Sequence, residues 1–187
     1  MKKFFLILAA VVVIGYLIFS VSYFRVSSRN KLCEGFEVII KDSSETQFVR
    51  KQDIVDLVKR YDLYPEGRTF REINTLSIRD TILTNKLVES AEVFTTSRGF
   101  IVAAIYQREP VLRVISDVNG SYYVDDDRQI MPVSVNFAVY VPVATGAIDE
   151  EFAQNDLYDF AMFLNANRYW NAWIDQIVVR QNGDVEL

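Results

Sequence analysis

The sequence contains no histidine. That absence removes the usual general base, the commonest zinc ligand and every Ser-His or Cys-His catalytic pairing. Cysteine is nearly absent: Cys33 stands alone, so no internal disulfide can form and the fold must rest on packing. Its expected role is that of a small apolar residue, buried or close to a membrane, and Asn30-Lys31-Leu32 ahead of it do not form a lipidation box. The 7 glycines are too few and too scattered to build a phosphate-cradling loop, and no Cys-x-x-Cys pair exists. Basic residues are outnumbered, 20 against 25 acidic. Lys2 and Lys3 precede the first apolar run, so the remainder is more acidic still. With no basic stripe, nucleic acid is not an expected partner.

What is present is apolar material: 50% of the 187 residues. That suffices for a real core and argues against disorder, and the length leaves room for one ordinary domain or two small ones beside an anchor. From Phe4 to Val21 the chain reads FFLILAAVVVIGYLIFSV, without a charge. A helix of about 18 residues spans roughly 27 Å, close to the hydrocarbon thickness of a bilayer. Tyr16 and Tyr23 lie toward the distal end, where aromatic rings favour the interface, and Arg25 stops the run. The expectation is a cytoplasmic tail over 1–3, a transmembrane helix over 4–22 and a juxtamembrane linker over 23–35. Lys2 and Lys3 favour a cytoplasmic N-terminus, and a long following domain translocates despite Arg25, Arg29 and Lys31. A signal peptide cleaved near Ser20-Val21-Ser22 is the rival, but its apolar core would exceed the usual ~7–15 residues.

Beyond the linker, Phe36 to Lys41 alternates as a strand, followed by a turn at Asp42-Ser43-Ser44. Ile54, Leu57, Val58 and Tyr61 fall on one face of a helix over Lys51 to Tyr61. A second helix is expected from about Arg71 to Thr84, with Ile73, Leu76, Ile82 and Leu83 facing inward. Val88 to Thr95 and Phe100 to Tyr106 read as strands of an antiparallel hairpin about Gly99. The order is β-α-α-β-β, with two helices able to cover a three-stranded sheet.

Arg108-Glu109-Pro110 is extended by the proline and marks the expected domain hinge. Past it, Asn119-Gly120 signals a hairpin between Val111 to Ile115 and Ser121 to Asp125. Gln129 to Met131 and Tyr140 to Val143 are short extended pieces. One amphipathic helix is expected from Asp149 to Asn167, burying Ala153, Leu157, Phe160, Ala161 and Leu164, with three acidic residues at the positive end of its dipole. Ile177 to Arg180 and Val185 to Leu187 form a closing hairpin about Asn182-Gly183. The fold class is α+β: the first module, then a second, mainly antiparallel β domain with one helix.

Asp125-Asp126-Asp127 lacks the spacing of a calcium loop and reads as a solvated turn. No metal or cofactor site emerges, nor a small-molecule substrate site. Tyr169, Trp170 and Trp173 read first as core packing and second as a partner hot spot. A terminal strand over Val185 to Leu187 has an edge open to strand addition.

Ala91-Glu92-Val93, Gln107-Arg108-Glu109-Pro110-Val111, Tyr122-Tyr123-Val124-Asp125 followed by Met131-Pro132, Val141-Pro142-Val143 with Thr145-Gly146, and Asp175-Gln176-Ile177 occur in an order that resembles the bacterial cell-division FtsQ/DivIB family. The resemblance covers the anchor and nearly all that follows. It implies a POTRA domain over 36–109 and a β domain over 110–187, shorter than members usually carry. It also implies a bitopic inner-membrane scaffold, not an enzyme, with both domains outside the cytoplasm and midcell placement at division. The implied partners are FtsB- and FtsL-type proteins, bound along the late strands; in this sequence that selects Trp173, Gln176, Val178, Arg180, Val185 and Leu187. Two alternatives remain: a POTRA-bearing adaptor of an envelope assembly system, and a membrane-anchored hydrolase using carboxylates such as Asp125 and Asp127.

Overall fold

A computed structural model describes residues 11–20, 30–41, 48–134 and 138–187. Residues 11–20 are helical. Among the described residues no helix is long and apolar enough to cross a membrane. Positions 4–10 and 21–22 of the expected span, the tail over 1–3, linker positions 23–29 and the turn at Asp42-Ser43-Ser44 lie outside the described residues.

The first sheet carries the expected β-α-α-β-β order: β1 (Gly35–Ile40), α1 (Lys51–Arg60), α2 (Thr75–Ile82), β2 (Val88–Thr95) and β3 (Phe100–Gln107). β2 and β3 pair antiparallel, with Gly99 at φ +90° in the turn, a conformation glycine enters without steric cost. β3 is central and β1 joins its other side in parallel. Each helix presents an i, i+4 pair to the sheet: Ile54 and Val58 from α1, Ile78 and Ile82 from α2, all buried. Three residues expected on these faces are exposed instead. Tyr61 caps the C-terminus of α1, just before Asp62 turns the chain at φ +55°. Leu76 and Leu83 point outward because α2 begins late: the Asn74 side chain accepts from the Leu76 and Ser77 N–H groups, which fixes the helix phase with Ile78 and Ile82 inward.

The second sheet is larger. It comprises β4 (Pro110–Ser116), β5 (Gly120–Asp125), β6 (Ile130–Pro132), β7 (Val143–Gly146), β8 (Ile177–Val179) and β9 (Val185–Glu186), in the order β6-β5-β4-β7-β8-β9. Both hairpins anticipated at Asn-Gly sites form, with Gly120 and Gly183 at positive φ. The sheet is mixed where a mainly antiparallel one was expected, since β7 runs parallel to β4 and to β8. The cause is a helical crossover between β7 and β8, a connection that returns the chain in the same direction.

That crossover holds three helices in place of the single one expected: α3 (Glu150–Gln154), α4 (Asp156–Ala166) and α5 (Arg168–Asn171). Asp149 caps α3 by accepting from the Phe152 N–H. The break falls at Asn155, whose ψ is −89° and whose side-chain amide donates to the Glu151 carbonyl. An asparagine that bonds nearby backbone this way competes with helix continuation. Ala153, Leu157, Ala161 and Leu164 are buried as expected, against Leu112, Val114, Tyr122, Ala144 and Ile177 on the inner face of the sheet.

The two sheets share one junction. Tyr123 and Met131, on the face of the second sheet away from its helices, complete the apolar core of the first. Phe48 meets Tyr123 edge-on at 6.1 Å between centroids. Cys33 is buried and its thiol donates to the Gly35 carbonyl, consistent with a small packing residue.

Candidate partner-binding surface

β9 is an outer strand of the second sheet, and its side chains divide between two faces. Val185 lies opposite Val179, and Glu186 opposite Val178. Val179 is buried toward the helices, so Val185 and, two residues on, Leu187 face the helix layer, while Val178 and Glu186 face the other side. Arg180 donates its backbone N–H to Asp184, and its guanidinium pairs with Glu186 at 2.6 Å on the exposed surface. Bonded and non-bonded pairs alternate along an antiparallel ladder. The Arg180–Asp184 pair is bonded, so the N–H and C=O of Val185 point away from β8, toward the open edge.

On the helix side, Val185 (45% exposed) and Leu187 (68%) border a cavity of about 360 Å³ with Phe152, Leu157, Phe160 and Asp156. Beside it, sharing Phe152 and Asp156, lies a second cavity of about 410 Å³, also lined by Asp149, Glu151 and Asn155. Leading into β8, Tyr169, Trp170 and Trp173 form a surface cluster, with ring centroids 5.6 and 6.1 Å from Tyr169. Trp173 is 70% exposed. The first reading of these rings as core is therefore wrong: α5 is a single short turn that buries none of its residues, and Trp173 just beyond it is exposed as well.

The six residues selected from sequence thus fall on one end of the sheet but not on one face. Gln176 donates to the Thr145 hydroxyl at 2.6 Å, tying the entry of β8 to β7. Val178 sits half-buried on the open face beside Thr145. Phe152 and Phe160 were not selected. Phe160, expected on the buried helix face, is only partly buried, and Phe152 belongs to no expected face; only the pairing of β9 alongside reveals both as cavity walls.

The connection between the sheets is tied at both ends. The Arg108 N–H donates to Leu87, and its guanidinium pairs with Asp125. The Asp126 N–H donates to the Glu109 carbonyl, and Pro110 is buried. Asp125 is fully buried and its other oxygen accepts from the Asp127 and Gln129 amides. The expectation of a wholly solvated acidic turn therefore fails at Asp125, which organises the turn from inside. Desolvation, and then Asp125, push Asp126 above the ordinary carboxylate range; desolvation, and then Asp126, do the same to Glu89. Burial pushes the Tyr122 phenol up to about 12, with Glu150 and Asp149 adding to the effect.

Two family models match the chain. The POTRA-like domain matches residues 31–106, and the FtsQ/DivIB, C-terminal related domain matches residues 109–187. No curated protein matches it.

Proposed function

We propose, from the premise that this chain belongs to the FtsQ/DivIB family, that it is a membrane-anchored, non-catalytic scaffold of the bacterial cell-division machinery. Its partners, of FtsB and FtsL type, add a strand to β9 outside the cytoplasm. The observation that carries this reading is the open edge of β9, where Val185 presents an outward N–H and C=O beside an apolar cavity. Backbone bonds along such an edge supply affinity, and pockets for alternate side chains supply register. Trp173, Gln176, Val178, Arg180, Val185 and Leu187 are the proposed contact set, and Arg108, Glu109 and Pro110 the joint that sets the angle between the two domains.

Membrane anchoring rests on the uncharged run from Phe4 to Val21, oriented by Lys2 and Lys3. The non-catalytic reading is supported by the chemistry of Asp125, whose carboxylate is engaged by Arg108 and two turn amides and so does not converge with Asp127 as an acid-base pair. A fluorescent fusion scored in dividing cells tests the assignment. Midcell accumulation, with partner recruitment lost in Val178→Glu and Arg180→Glu, is expected. Uniform membrane fluorescence through constriction would refute it.

A further inference from the structure

The cleft beside β9 carries chemistry of its own. Its apolar half is walled by Phe152, Leu157, Phe160 and Val185, and its neighbouring half by the carboxylates of Asp149, Glu151 and Asp156. The Asp149 carboxylate caps α3, and Asp159 on the next turn of α4 is neutralised by Arg128 at 2.6 Å. Glu150, Glu151 and Asp156 have no ion pair among the described residues, and no lysine or arginine lines either cavity. A greasy slot therefore opens directly into uncompensated negative charge.

We infer that the segment added to β9 carries a large apolar side chain and, two residues from it on the same side of the strand, a lysine or arginine. This rests on the strand-addition reading above and specifies the partner it would accept. Side chains two apart on a strand share a face and stand about 6.8 Å apart. The two cavities share their Phe152 and Asp156 walls, so a side chain seated in the apolar one has its same-face neighbour available to the acidic one. The charge also selects against a second copy of this chain as the occupant, because two such clefts brought together would oppose like charges.

The test uses the full chain in detergent micelles and three fluorescent strand peptides: one with Phe and Lys two residues apart, one with Glu in place of Lys, and the Lys peptide N-methylated at alternate amides. Titration by anisotropy at low salt should favour Lys over Glu by roughly five-fold, shrinking in concentrated salt as exposed charges are screened. The Glu151→Lys/Asp156→Lys variant, checked for fold by circular dichroism, should reverse that preference. Equal binding of Lys and Glu peptides, with loss on N-methylation, overturns the charge inference and leaves strand addition standing. A Lys preference that survives N-methylation supports the acidic cleft and overturns strand addition. Binding of no peptide, or a concentration-dependent dimer that blocks them, overturns both.

Discussion

Arg108, in the two-residue connection between β3 and β4, places its guanidinium on the fully buried carboxylate of Asp125 at the end of β5. The same carboxylate holds the amides of the following turn, and that turn's Asp126 N–H returns to Glu109. One ion pair thus couples the exit from the first sheet to the first hairpin of the second. Removing one member of a buried pair leaves the other desolvated and uncompensated. Arg108→Ala is expected to destabilise by about 3 kcal/mol, the low end for such pairs because the arginine is partly exposed. Urea unfolding monitored by tryptophan fluorescence measures it, and a loss below about 0.5 kcal/mol would show that the pair does not hold the junction.

Two carboxylates near this pair make the junction sensitive to acidity. Desolvation raises Asp126 and Glu89 above their ordinary values, and repulsion from neighbouring carboxylates adds to it. A carboxyl whose folded-state pKa is raised binds its proton more readily in the folded chain, so it contributes stability at low pH that is lost as pH rises through that pKa. From neutral pH down toward the ordinary carboxylate range, these two groups should favour folding increasingly. Asp126→Asn and Glu89→Gln should each stabilise at pH 7 by less than about 0.5 kcal/mol, since both side chains remain in contact with water. The gain should vanish near pH 3, where the carboxyls are protonated in both states. A gain of equal size at both pH values would rule out desolvation of the charged form as its source.

Gly146 occupies a position that only glycine fits. It ends β7 at φ +109°, and a Cβ there would stand 2.1 Å from the Val179 carbonyl oxygen on β8. The neighbouring atom is backbone and cannot swing aside. Gly146→Ala is expected to cost more than about 2 kcal/mol through strain and displaced pairing. Because β8 carries β9, partner binding should fall with it. A variant of unchanged melting temperature would argue against the parallel β7–β8 pairing.

Period-two and period-3.6 patterns made most elements legible. The Gly99, Asn119-Gly120 and Asn182-Gly183 turns lie where glycine was needed at positive φ, and β2 begins and ends at the residues expected. Parallel pairing was not legible, because β7 is four residues long and its neighbours are chosen by a crossover rather than by a local turn. Nor was the break at Asn155, where a side-chain bond overrides an apolar pattern that continues through it. The surface suffered the same limit. Aromatic content near residue 170 is compatible with core or interface, and only the shortness of α5 decides that the rings stay outside.

Strand addition and aromatic anchoring make separable demands on the β9 end of the sheet. Val185→Pro removes one outward N–H yet leaves the Arg180–Asp184 bond untouched, since that bond uses neighbouring residues, and proline is tolerated on an edge. Affinity for the proposed strand-adding partner should fall about five-fold, the worth of one backbone bond, with little change in unfolding midpoint. Trp173→Ala removes a 70%-exposed ring, so stability should stay within about 0.5 kcal/mol while affinity falls by about 2 kcal/mol if the ring anchors the partner. Titrating each variant against co-purified partner separates the two contributions. If Val185→Pro binds as wild type and only Trp173→Ala fails, the partner packs on the aromatic surface without extending the sheet.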